Sequence, residues 1–365
     1  MTIPKIILWL ILTAALYCGL YGVLFPPKKK NKVWINIVIT AAEVILAVAC
    51  AYIAIAADQL LPRYIECALA MLYTVFFAEA ATELILMIVR LFKKDAVKNR
   101  ISFITGAAVT VGFLMYMVIN SQVITPDYHT FTSPKLKHNH KIVYVSDLHY
   151  GNTQTAEAVK KAFDDIKNEN PELLLLGGDI TDEYTSKEDM KYIYKQIGSL
   201  GIPVYFAYGN HDRQNHSADT GGRTYSDNEL EEALKENGIN ALCDDYKVLD
   251  DLVIFGREDY DSVKRVSVDK LKKFPDGKYV INLDHSPYLN DDIKKTEADL
   301  QLSGHVHAAQ LFPLRLLYTL AVDNICGKYR SGNTDIYVSP GISGWAFPLR
   351  SESHCRYEVI NLKSE

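Results

Sequence analysis

Four apolar stretches fill the first 120 residues and constrain this chain more than any other feature. They run over Ile6–Phe25, Val33–Ala57, Tyr64–Leu91 and Ile101–Ile119. Each approaches or exceeds the ~20 residues that a helix needs to cross a hydrocarbon core. Inside lipid a segment must satisfy its own backbone polar groups, so such stretches are expected to be helices. The first is too long in its apolar core, and too soon followed by three others, to read as a cleaved signal peptide. Residues 1–120 are therefore expected to be a four-helix transmembrane region, with the protein multi-pass in a cell membrane.

Basic residues then set an orientation. Lys28, Lys29, Lys30 and Lys32 lie between the first two stretches, and Arg90, Lys93, Lys94, Lys98 and Arg100 between the last two. The loop between the second and third holds only Asp58 and Arg63. Basic loops favour the cytoplasm, so both termini and everything beyond the fourth stretch are expected outside. Glu43, Glu79 and Glu83 fall within the stretches, the last two one helical turn apart. Carboxylates at membrane depth face the bundle interior or water. An interhelical contact and a polar groove for a headgroup or an ion both fit them.

Beyond a polar connector (residues 121–139), short apolar runs alternate with amphipathic ones. Strands are expected at 141–145, 173–176, 204–207, 252–255, 279–283, 300–303, 335–338 and 357–362, and helices at 155–168, 186–200 and 226–237. This alternation describes an α/β domain over residues 140–365, a normal size for one domain. The second half is net acidic, which argues against broad electrostatic binding to nucleic acid. The chain has six cysteines. None forms a CxxC pair, so they read as small buried residues. One disulfide among Cys243, Cys326 and Cys355 is left open.

Five fragments carry the chemistry: Asp147-Leu148-His149, Gly177-Gly178-Asp179, Gly209-Asn210-His211-Asp212, Asp284-His285-Ser286-Pro287 and Gly304-His305-Val306-His307. Each falls just past an expected strand, where open α/β sheets place their sites. Their donors are carboxylate, imidazole and one carboxamide, without thiolate. That mixture suits divalent Mn, Fe or Zn. In His305-x-His307, an extended backbone would send both rings to one side.

In order and spacing, the five fragments resemble the calcineurin-like metallophosphoesterase family, whose pattern is DxH, GD, GNH(D/E), a lone His and GHxH. The resemblance covers about Lys141 to Leu362, and membrane-attached bacterial members with N-terminal spans exist. It implies a β-sandwich flanked by helices and two divalent metal ions, with Mn expected and Fe or Zn as alternatives. Asp147, His149 and His307 would bind one ion, Asn210, His285 and His305 the other, and Asp179 would bridge them. The implied reaction is attack on a phosphoester by a hydroxide held between the cations. His211 would then stabilise or protonate the leaving oxygen, with Asp212 orienting its ring. The resemblance also suggests Arg257 and Arg350 as phosphate contacts. Ala308-Ala309-Gln310 departs from the family, where two glycines and a Gln are common.

The expected activity is hydrolysis of a phosphodiester or pyrophosphate, with a lipid or lipid-linked substrate favoured by the membrane region. The alternatives are a general phosphatase or nucleotidase acting on soluble extracytoplasmic substrates, and a catalytically silent metal-binding module. No nucleic-acid partner is expected, and nothing in the sequence gives the oligomeric state.

Overall fold

A computed structural model describes residues 11–14, 16–17, 20, 33–56, 63–92, 99–213, 223–260, 262–271, 273–288, 294–320 and 324–365. The chain forms two compact units. One comprises Met1–Asn120 with Ala346–Ser351; the other comprises Ser121–Trp345 with Glu352–Glu365.

The first unit is built on three helices, α1 (Val33–Ala56), α2 (Arg63–Phe92) and α3 (Asn99–Gln122). Each is long and apolar enough to cross a membrane. Among the described residues the count is thus three, where the sequence led us to expect four; most of Ile6–Phe25 lies outside them. The basic residues Lys28–Lys32 and Lys93–Lys98 also lie outside the described residues. Within the unit, Glu43, Glu79 and Glu83 are buried, and the Tyr17 hydroxyl donates to Glu79 Oε2 at 3.2 Å. A Cβ at Gly106 would collide with that hydroxyl, so a larger residue there would have to displace Tyr17. Arg63 Nε donates to the Ala346 carbonyl (2.8 Å) and Asn120 Nδ2 to the Arg350 carbonyl (3.0 Å).

The second unit is a sandwich of two six-stranded sheets. The first contains β1 (Ile124–Ser133), β2 (His140–Val145), β3 (Leu173–Leu176), β4 (Val204–Phe206), β5 (Ile239–Ala241) and β12 (Cys355–Ser364), in the order β1-β12-β2-β3-β4-β5. The second contains β6 (Asp245–Val248), β7 (Leu252–Gly256), β8 (Tyr279–Leu283), β9 (Leu300–Ser303), β10 (Gly327–Ser331) and β11 (Thr334–Val338), in the order β10-β11-β9-β8-β7-β6.

Strand periodicity builds both layers of the core. Ile142, Tyr144, Leu173 and Leu175 point between the sheets and meet Ile254, Ile281, Leu300 and Leu302. Their neighbours Val143, Val145, Leu174 and Leu176 point the other way. They pack beneath α4 (Ala156–Asn168), α5 (Lys187–Gly198) and α7 (Asp227–Glu236), whose contributions include Phe163, Ile193 and Leu230. Both faces are buried, so these strands are continuous apolar runs. Ser186 and Ser226 cap α5 and α7 through their hydroxyls.

Two local expectations are corrected. The connector at 121–139 contains β1, a ten-residue edge strand paired in parallel with β12. Its mostly exposed, polar face and Pro126 hide it, since proline is tolerated at an edge. Cys326 and Cys355 are buried as expected but Cys243 is exposed, and no disulfide joins the three.

Candidate metal centre

Strands β2, β3 and β4 are parallel neighbours, as are β8 and β9. Their C-terminal ends deliver Asp147, Asp179, Asn210, His285 and His305. Backbone bonds lace these loops together: Asp147 N donates to Gly178 O (3.0 Å), His149 N to Asp179 O (3.0 Å) and Gly304 N to His285 O (2.9 Å). Asn210–Arg213 forms a one-turn helix, α6.

The candidate ligands fall into two groups whose donor atoms lie within 4.8 Å of one another. One is Asp147, His149 and His307; the other is Asp179, His285 and His305. Asn210 joins the second group, its Oδ1 lying 2.8 Å from His305 Nδ1. Asp179 faces both groups, because its Oδ2 is 2.9 Å from His285 Nε2 and 3.8 Å from His149 Nε2. All seven positions named from the sequence are thus brought together.

Whether these donors suit cations can be read from how they are held. Each aspartate commits one oxygen to the backbone: Asp147 Oδ1 accepts from His305 N and Asp179 Oδ1 from His211 N, both at 2.8 Å. Asp147 Oδ2 is buried with no hydrogen-bond partner among the described residues. His285 Nδ1 donates to Gly177 O (2.8 Å) and His307 Nδ1 to Ser343 O (3.3 Å), while His149 Nδ1 sits 3.3 Å from Asp182 Oδ2. Anchoring Nδ1 in this way leaves Nε2 to present a lone pair, as metal-ligating histidines require. His149 Nε2 and His307 Nε2 in fact face each other at 3.3 Å. A Cβ at Gly304 would collide with Asp147 Oδ2, and one at Gly209 with Asp179 Oδ1. The residues present therefore fit two divalent ions.

Backbone strain gathers at the same place. Asp147, His149, Asp179, His305 and His307 all take positive φ, between 45° and 72°. Side chains rarely adopt this region, and such strain clusters at functional sites. The extended reading of His305-x-His307 is overturned: Val306 has φ −86° between two left-handed residues, and a 3-10 turn starts at His307. Ala308, Ala309 and Gln310 continue with φ of 52°, 60° and 48°.

Around the ligands, protein groups tune charge. Burial opposes ionisation of Asp179, but His285 and His211 hold its pKa well below the ordinary carboxylate value. Burial and the neighbouring His285 lower His305 to about 3, keeping its ring neutral. Burial also works against a charged His211, yet Asp179 and Glu183 raise its pKa to about 10.

The role expected of Asp212 is corrected. Its carboxylate accepts from the backbone N–H of Asp179 (2.6 Å), Gly209 (3.0 Å), Ile180 (3.1 Å) and Thr181 (3.1 Å), tying two ligand loops together. The His211 ring is held instead by Glu183, whose Oε2 accepts from Nδ1 at 3.0 Å. Sequence reasoning missed Glu183, which lies four residues after Asp179. It also missed Trp345, whose ring lies 4.1 Å from that of His211 and 4.6 Å from that of His149. Arg257 is buried against Asp244 Oδ1 (2.5 Å) and the Val266 carbonyl (3.0 Å), which commits it to a loop. Arg350 belongs to the helical unit.

This fold and this donor set define a class: a two-sheet α/β domain with a buried cluster of nitrogen and oxygen donors at its strand ends, suited to divalent ions. Residues 140–309 match the family model of the calcineurin-like phosphoesterases, so the chain carries a domain of that family. It is a metal-dependent phosphoester hydrolase with apolar helices at its N-terminus. An uncharacterized metallophosphoesterase of Campylobacter jejuni is 27% identical over 80% of this chain and 79% of its own length. One of Helicobacter pylori is 32% identical over 59% of this chain and 58% of its own. A Danio rerio transmembrane protein with a metallophosphoesterase domain is 28% identical over 70% and 60%.

Proposed function

We propose that the chain is a multi-pass membrane phosphoesterase. It hydrolyses a phosphodiester or pyrophosphate of a lipid or lipid-linked substrate, and its catalytic unit lies on the extracytoplasmic side. The observation that carries the chemistry is the convergence of seven donors into two groups joined by Asp179. Asp147, His149 and His307 would hold one cation and Asn210, His285 and His305 the other, the donor set suiting manganese, iron or zinc. When bound, such a pair supplies Lewis-acid polarisation of the phosphoryl oxygens and an activated water.

The chain's own residues do the rest. His211 gives charge or a proton to the departing oxygen through Nε2, the nitrogen that Glu183 does not engage. Glu183 fixes the ring and favours its charged form. Asp212 keeps the Asp179 and Gly209 loops in register. Trp345 covers one side of the His211 and His149 rings and limits water there. Support for the extracytoplasmic side comes from the basic loops at Lys28–Lys32 and Arg90–Arg100. Support for a lipid substrate comes from the apolar helices.

The test is a rate screen of the purified chain with Mn, Fe or Zn against phosphomonoesters, phosphodiesters and a lipid pyrophosphate in vesicles. Preference for the lipid-borne ester is expected. Turnover confined to soluble monoesters would overturn the substrate assignment.

A further inference from the structure

Immediately after the metal-binding turn, the chain makes a small helix, α8 (Leu314–Tyr318). Its turns continue, since Thr319 N donates to Arg315 O (3.0 Å) and Leu320 N to Leu317 O (3.1 Å). Leu311 and Leu314 anchor the segment and are fully buried. Leu316, Leu317 and Leu320 point outward, 62%, 42% and 84% exposed. Leu316 and Leu320 stand one turn apart, on the side away from Leu314. No acidic residue occurs between Leu311 and Leu320, and the one base, Arg315, donates to the Cys326 carbonyl at 3.3 Å. The segment thus inverts the pattern of a helix at a water surface, where the outward stripe is polar.

We propose that Leu316, Leu317 and Leu320 insert into the membrane interface, so that the metal-binding turn works at a lipid surface. The occupant follows from the rest of the chain. Helix α3 is apolar to Ile119 and helical to Gln122, and β1 begins at Ile124, so only a few residues separate the apolar part of a membrane-length helix from the sandwich. So short a tether keeps the unit at a very high effective concentration of bilayer. An exposed apolar stripe on such a unit is the feature that seats a surface helix in the headgroup–acyl boundary. The exposure of these leucines matches that of Ile37 and Ile45 on α1, at 54% and 67%. Chain reach gives the consequence. Leu316 lies six residues beyond Gln310, within about 20 Å of the end of the metal-binding turn. A phosphoester in a lipid headgroup is then the substrate class within reach. The proposal rests on reading α1–α3 as membrane spans, and not on any measured turnover.

The test uses the full chain in vesicles of phosphatidylethanolamine and phosphatidylglycerol. Benzoylphenylalanine replaces Leu316 or Leu320, with Val263, fully exposed in the same unit, as the control site. After irradiation, mass spectrometry should find acyl-chain adducts at 316 and 320 and none at 263. No adduct at 316 or 320, adducts equal at all three sites, or cross-links to a second copy of the chain or another protein would overturn the proposal. A second arm combines Leu316→Ser, Leu317→Ser and Leu320→Ser. It should lower hydrolysis of a vesicle-borne phosphodiester by about tenfold or more, leaving a small soluble phosphodiester within about twofold. Equal rates on both esters, relative to the parent chain, would contradict it. Adducts without turnover on any lipid ester would instead sink the substrate assignment and leave the interfacial segment standing.

Discussion

Replacing Glu183 by Gln probes the site at the group the sequence did not reveal. The carboxylate is buried and accepts from His211 Nδ1 at 3.0 Å. With Asp179 and Asp182, it is also one of the three acids that raise the His211 pKa to about 10. Glutamine keeps size and shape but removes the charge. Hydrogen bonds to charged groups contribute about 1.5–3 kcal/mol against about 1 for neutral ones. The difference, about 0.5–2 kcal/mol, is a loss of about 2- to 30-fold in turnover if His211 carries charge in the transition state. Glu183→Ala, which also frees the ring, should cost more than Glu183→Gln. The assay is steady-state hydrolysis of a small aryl phosphodiester, with metal content measured on the same samples. Unchanged metal content with lower kcat and little change in KM is expected. In a His211→Asn background, Glu183→Gln should add almost nothing, because residues acting as a unit are not additive. Wild-type kcat in both Glu183 variants, or full additivity with His211→Asn, would refute the coupling.

Three further outcomes follow from other parts of the molecule. Asp212→Ala strips the acceptor from four buried amides and should destabilise the catalytic unit by about 4 kcal/mol or more; a change below about 1 kcal/mol in denaturant titration would contradict the tying role. Ala308→Gly and Ala309→Gly relieve left-handed backbone and should each raise stability by about 1 kcal/mol with metal content unchanged; a lower melting temperature would show that the turn is not strained. In a Cys243→Ser background, which removes the native exposed thiol, a cysteine at Val263, fully exposed, should react with a membrane-impermeant maleimide on intact cells; labelling only after lysis would place the site on the cytoplasmic side.

Much of the architecture was legible because the central strands are buried on both faces. Leu173–Leu176 is an uninterrupted apolar run, Tyr279–Leu283 and Leu300–Ser303 are mainly apolar with Asn282, Gln301 and Ser303 buried among them, and the observed strands have those limits. Strand β1 was illegible because its partner β12 lies at the other end of the chain and its own residues are polar. Short β5, β6 and β10 were missed for similar reasons: most of their residues are not buried, so they carry little apolar pattern.

At the site, glycine-flanked Asp, Asn and His fragments marked the donors that converge. The partners of those donors could not be seen. Proximity in sequence suggested that Asp212 orients His211, but α6 turns the Asp212 carboxylate onto backbone amides. Glu183 reaches the ring from another loop. The left-handed turn at His305 and His307 was equally hidden, since alternation along the chain suggests extension and nothing local in Val306 contradicts it.

The central claim is that Asp179 is shared by two cations. Metal analysis of the purified, reconstituted chain, beside an Asp179→Ala variant that remains folded by circular dichroism, tests it most directly. The account predicts about two equivalents of divalent metal per chain and loss of most of both in the variant. One equivalent in the parent chain, or two retained without Asp179, would contradict it.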